Sequence, residues 1–122
     1  NWDLPWAKEL RALLTQTVGV LGRLGDALGE LAGVEAAFVF GSWAARYTGA
    51  AGPAPRDVDV AVVGTASLPE VRDACRTVEH DLRIDVNPVV FTHDEWRAPT
   101  PDPFIDELRS GPLVEIPLPR PA

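Results

Sequence analysis

Asp57 and Asp59 stand one residue apart in Arg56-Asp57-Val58-Asp59-Val60, and Asp85 follows in Arg83-Ile84-Asp85-Val86-Asn87. Side chains alternate across a strand, so Asp57 and Asp59 share one face while Val58 and Val60 turn to the other. Asp85 lies in a second apolar run that fixes its direction. If the two strands are neighbours, the three carboxylates converge. Like charges at close range repel, and partial burial makes the repulsion worse. Arginines can supply the counter-charge, but a divalent cation does so better. Mg²⁺, or Mn²⁺ in its place, takes hard oxygen donors, usually one or two carboxylates plus substrate phosphates. Two such ions clamp the attacking and leaving oxygens of a phosphoryl transfer. An isolated Asp-x-Asp is more often a solvated pair salt-bridged to an arginine such as Arg46 or Arg56, so its surroundings decide.

Those surroundings include Val39-Phe40-Gly41-Ser42, an apolar run that stops at a glycine turn, and Arg46 four residues after the serine. Gly41 lets the backbone approach a ligand closely. Ser42 offers a hydroxyl to a phosphate oxygen, and Arg46, one helical turn on, has the fork geometry that suits a triphosphate. Gly-Ser alone is a common turn. Gly-Ser at a strand end, followed by an arginine and then Asp-x-Asp, is a far more specific combination.

The elements that must position these residues follow from periodicity. Leu10, Leu13 and Leu14 share a helical face, as do Leu21, Leu24, Leu28 and Leu31; Gly19 is expected to separate two helices and Gly33 to stop the second. Val34–Phe40 reads as a buried strand and Trp43–Tyr47 as a short helix with Ser42 as N-cap. Thr48–Pro55, rich in Gly, Ala and Pro, reads as a mobile loop. Asp57–Val63 is a strand, and Leu68–Asp81 a helix marked by Ser67 and Pro69. Arg83–Phe91 is a strand in which Pro88 implies an edge position or a bulge. Phe104–Arg109 and Leu113–Ile116 give a last helix and a short strand. The order predicts an α/β (α+β) fold, a small mixed sheet covered by helices.

Taken together, Gly41-Ser42-Trp43-Ala44-Ala45-Arg46, Asp57-Val58-Asp59 and Arg83-Ile84-Asp85-Val86 resemble the nucleotidyltransferase pattern of the DNA polymerase beta superfamily, over about Val34 to Phe91. More narrowly, Val34-Glu35-Ala36-Ala37-Phe38-Val39-Phe40-Gly41-Ser42 and Val86-Asn87-Pro88-Val89-Val90 resemble minimal nucleotidyltransferase domains that follow a winged helix in some prokaryotic regulators. The resemblance implies a nucleotidyltransferase fold over 34–116, an N-terminal helical segment (1–33) packed on it, and an irregular tail (117–122). It implies that Gly41, Ser42 and Arg46 hold the triphosphate of an NTP such as ATP. Asp57, Asp59 and Asp85 would bind Mg²⁺ (or Mn²⁺), with Asp85 helping to activate the attacking hydroxyl. The reaction implied is transfer of a nucleoside monophosphate to a hydroxyl of a protein, an RNA end or a small molecule, in an antitoxin-like or regulatory setting. Asn87 shares a face with Asp85, so either residue can take the third position; Asp85 is preferred. The chain departs from the pattern in having Tyr47 where glycine often follows the arginine, and Arg56 where serine often precedes the Asp pair.

Bulk properties narrow the field. The chain has 122 residues, enough for one core. No apolar run nears the ~20 residues of a membrane-spanning helix, and no signal peptide is evident, so a membrane partner is not expected. The lone Cys75 fits a reducing cytoplasm and reads as a small buried residue. With a net charge of −7 and eleven dispersed Lys and Arg, direct nucleic-acid binding by this chain is not expected. The start at Asn1 rather than Met reads as a fragment or a processed form, and the resemblance to domains that follow a winged helix implies an upstream DNA-binding domain outside it. His80 and His93 read as surface residues, and Asp94-Glu95 and Asp106-Glu107 as solvated helix-start acids. Trp43 is open between packing on the sheet and stacking on a nucleobase. Two competing functions remain, a catalytically degenerate nucleotide-binding sensor of a winged-helix regulator and a homodimerisation module built on Pro5–Leu31.

Overall fold

A computed structural model describes residues 19–47, 49, 56–98 and 102–119. The elements run α1 (residues 19–29), β1 (Val34–Phe40), α2 (Gly41–Tyr47), β2 (Asp57–Gly64), α3 (Leu68–Leu82), β3 (Asp85–Phe91), α4 (His93–Arg97), α5 (Pro103–Ser110) and β4 (Leu113–Glu115). The four strands form one sheet in the order β3-β2-β1-β4. β2 runs parallel to β3, and β1 is antiparallel to both β2 and β4. The mixed sheet with covering helices is the α/β architecture expected. The helix before Gly19, the packing of Trp2 and Trp6, the mobility of Thr48–Pro55 apart from Gly49, and the last tail residues concern positions outside the described residues.

Alternation builds two cores, one on each face. Val58, Val60 and Val62 of β2, Val39 of β1, Val86 of β3 and Val114 of β4 point one way and meet α1 and α3. Leu24 and Leu28 of α1 are fully buried there, each worth roughly 1.5–3 kcal/mol relative to exposure. Helix α1 therefore shares the core of the sheet. On the opposite face Ala61 and Phe91 pack against Ile105 and Leu108 of α5, with Phe40, Val89, Trp96 and Leu113 around them. Phe38 stacks on Trp96 at 5.3 Å between ring centroids, and Phe91 lies 5.7 Å from the same ring. Arg109 closes this layer by donating from Nη1 to the Trp96 carbonyl at 2.7 Å.

Local signals set most boundaries. Ser67 caps α3: its hydroxyl accepts from Glu70 N while Glu70 Oε1 accepts from Ser67 N, a capping box with Pro69 in the first turn. The same device starts α4, where Thr92 and Glu95 are the reciprocal pair. Pro88 sits in β3, an outer strand, where a missing donor costs least.

Some boundaries correct the sequence reading. Helix α2 already begins at Gly41, so Ser42 lies in its first turn rather than capping it. Strand β3 begins at Asp85, because Arg83 adopts φ 54° and ψ 46°, the left-handed conformation that ends α3. A residue in that conformation cannot continue a strand. Residues 117–119 are irregular, as expected of the tail, but Leu118 packs against the core; Ile116, expected to end the last strand, lies just past β4 and donates from N to Ala37 O at 2.9 Å.

Candidate functional site

The parallel register of β2 and β3 places Asp57 directly opposite Asp85, and Asp59 directly opposite Asn87. The antiparallel register of β1 and β2 places Phe40 opposite Asp59. Directly paired residues project from the same face. Asp57 and Asp85 thus form an outer row at the start of both strands. Phe40, Asp59 and Asn87 form the row behind it, on the face that α4 and α5 cover. The three carboxylates come to one end of one face, in two rows rather than as a single cluster. Asp57 and Asp85 are exposed and Asp59 is half-buried.

Asp59 has two neighbours that fix it. Asn87 Nδ2 donates to Asp59 Oδ1 at 3.4 Å, a long contact that still orients both groups. On the other side lies Gly41, whose φ is +76°. A Cβ built on Gly41 would stand 2.6 Å from Asp59 Oδ2. Both the positive φ and the contact require glycine. The turn that ends β1 is therefore pressed against the Asp59 carboxylate. Ser42 follows it, exposed, and Arg46 lies one turn along α2. All six residues singled out by spacing, Gly41, Ser42, Arg46, Asp57, Asp59 and Asp85, belong to adjoining elements.

Among the described residues, no three His, Cys, Asp or Glu side chains form a ready metal-binding group. The donor set nevertheless fits Mg²⁺, which asks for one or two carboxylates and takes its remaining oxygens from water and substrate. Asp57 with Asp85 offers such a pair, and Asp59 offers a third carboxylate beside Gly41.

The structure also decides residues left open or missed by spacing. Trp43 is 5% exposed and packs in the α1/α3 core, so it does not stack on a ligand. Cys75 is buried, and burial first, then the Glu79 carboxylate, pushes its thiol up to about 12. It is inert as a nucleophile at neutral pH. His80 and His93 are exposed, as expected, with His93 Nδ1 3.3 Å from Glu35 Oε2. Phe104 was not foreseen at the site. It is 46% exposed, meets Phe40 edge-on at 6.4 Å, and borders an apolar pocket of about 250 Å³ beside Gly41, with Glu107 and Leu108. Its signal in the sequence was weak, because an aromatic at the start of a short helix reads as ordinary core.

The chain matches no protein-family model, no curated protein and no solved structure.

Proposed function

We propose that this domain is a metal-dependent nucleotidyltransferase of the DNA polymerase beta superfamily type, moving a nucleoside monophosphate from an NTP to a hydroxyl acceptor. The observation that supports it is the meeting of the acidic face with the glycine turn, where Gly41 abuts Asp59 and Asp57 pairs in register with Asp85. An acidic pair alone has many uses. An acidic pair beside a tight Gly-Ser turn has the parts that a metal-bound triphosphate needs.

In this reading Asp57 and Asp59, with Asp85, hold Mg²⁺ or Mn²⁺, whose charge offsets the carboxylates and the triphosphate. Gly41 leaves room for the phosphates, Ser42 donates its hydroxyl to a phosphate oxygen, and Arg46 contributes charge. The base rests against Phe104 in the apolar pocket, a contact any base can make through its π-face. Asp85 accepts the proton of the acceptor hydroxyl. The acceptor oxygen bonds to the α-phosphorus as the bond from that phosphorus to the α–β bridging oxygen breaks, and pyrophosphate leaves. Catalysis is then mainly positioning and charge stabilisation.

The test is nucleotide transfer from α-labelled NTPs with Mg²⁺ or Mn²⁺, using wild type and Asp57→Ala. Label transfer or pyrophosphate release that needs metal and is lost in the variant supports the reading. Nucleotide binding that ignores metal and survives in Asp57→Ala would instead support a sensor domain without turnover.

A further inference from the structure

Four basic side chains dispersed along the sequence, Arg56, Arg76, His80 and Arg83, line one open cleft of about 490 Å³ that also reaches Asp85. In a chain of net charge −7 this is a local reversal of sign. The fold explains the gathering. Arg76 and His80 are spaced by one helical turn on α3, and Arg83 follows at its end. Arg56 immediately precedes β2, and Asp85 N donates to Arg56 O at 2.9 Å, which lays Arg56 against the start of β3.

The nearby acids offset only part of this charge. Glu79 and Asp85 line the cleft beside the three arginines, and Glu79 Oε2 is held in place by Val86 N, which donates to it at 2.8 Å. Arg76 meets Asp73 at 2.9 Å, with side chains 68% and 72% exposed, a pair that water weakens and a stronger anion displaces. Among the described residues Arg56, His80 and Arg83 make no ion pair. Arg83 is exposed and is the one non-glycine residue with positive φ among those described. Glycine is the usual occupant of such a helix-ending position. The arginine is held there against backbone preference and adds nothing to the core.

We propose that this cleft binds a phosphate group of the acceptor, so that the acceptor is a ribose phosphate whose free hydroxyl reaches Asp85. The word acceptor rests on the nucleotidyltransferase reading; the anion site does not. Guanidinium groups bind phosphate oxygens bidentately, and two that lack a carboxylate partner suit a phosphate better than a neutral side chain. The phosphate has two sources, a free nucleotide or the terminal residue of an RNA.

The experiment is an amide-shift NMR titration of the whole chain in EDTA with adenosine, 5′-AMP or a short oligoribonucleotide, for wild type, Arg83→Gly and Arg56→Gln. The expected result is that 5′-AMP and the oligonucleotide shift amides around Arg56, His80 and Arg83 while adenosine does not. Each variant should bind 5′-AMP at least fivefold more weakly. Arg83→Gly should do so with an unchanged or higher Tm, because glycine relieves the backbone, which separates lost binding from lost folding. An oligonucleotide bound far more tightly than 5′-AMP identifies an RNA end; equal affinity identifies a small nucleotide. Unchanged affinity in both variants, or shifts elsewhere on the surface, overturns the proposal. If 5′-AMP binds here as described but Mg²⁺–NTP does not bind at Asp57, the anion cleft stands and the nucleotidyltransferase reading falls.

Discussion

Asn87 donates from Nδ2 to Asp59 Oδ1 across neighbouring parallel strands, and one row further out Asp85 faces Asp57. The pairing distributes the roles of the two residues that shared a face in β3. The amide steadies Asp59 without adding charge, and the acid of β3 stands against the outer acid of β2.

Replacing that amide by a carboxylate tests the arrangement. Asn87→Asp puts a second negative charge directly opposite Asp59, which should cost about 0.5 kcal/mol at neutral pH. Added Mg²⁺ should offset the loss. Denaturant unfolding at pH 7, with and without Mg²⁺, checks both parts.

Gly41→Ala is expected to be costly for two reasons at once. The positive φ disfavours any L side chain, and the new Cβ would meet Asp59 Oδ2 at 2.6 Å. A loss of about 1–3 kcal/mol follows, together with loss of Mg²⁺–NTP binding, because Asp59 must move. Ser42→Ala is the contrast: Ser42 is exposed, so stability should stay within about 0.5 kcal/mol while NTP affinity falls.

The buried thiol of Cys75 gives a pH dependence of known sign. Its folded pKa is raised, to about 12, above the ordinary thiol value of about 8.5. The native state therefore holds the proton more tightly, and the stability this confers is fully present below pH 8. It declines as the pH rises from about 9 towards 12. Unfolding midpoints of wild type should fall over that range more steeply than those of Cys75→Ala. Iodoacetamide at pH 8 should label native Cys75 slowly and the unfolded chain quickly.

Ser67→Ala removes one half of the capping box of α3 and should cost about 1 kcal/mol. Glu70 supplies the other half, and the hydrogen bond from the Ser67 backbone, then that from the Ser67 hydroxyl, holds its carboxyl below the usual range. A depressed carboxylate stabilises the fold above its unfolded pKa, and that contribution disappears as the pH falls through the folded value. The acid limb of a stability profile should be shallower in Glu70→Gln than in wild type.

Much of this site was legible because strand periodicity is strict. Asp57-Val58-Asp59 could share a face only one way, and the alternation holds through Val62. Ser67 and Pro69 announced α3 in the same direct manner. Strand order was not legible, since register depends on which strands meet, and only that pairing sets Asp57 against Asp85 and Asn87 against Asp59. Helix α4 was given no range from the sequence, although Asp94-Glu95 read as helix-start acids and Thr92 with Glu95 carried the capping signal, because five residues of which only Trp96 packs on the core show no periodicity. The start of β3 was placed too early because Arg83 takes a conformation normally reserved for glycine. The basic cleft was invisible for a simpler reason: Arg56 and Arg83 are distant in sequence and meet only through the parallel pairing of β2 and β3.

The most direct test of the account is thermal unfolding of the chain against a panel of NTPs, each with Mg²⁺, Mn²⁺ or EDTA, in wild type and Asp57→Ala. A ligand at 100 times its Kd stabilises by about 2.7 kcal/mol, several degrees for a domain of this size. The account predicts a rise in Tm that requires both metal and NTP and vanishes in Asp57→Ala, with the unliganded variant as stable as wild type or more so, since one like charge is removed beside Asp85. No rise under any condition, or an equal rise in EDTA and in Asp57→Ala, would contradict it.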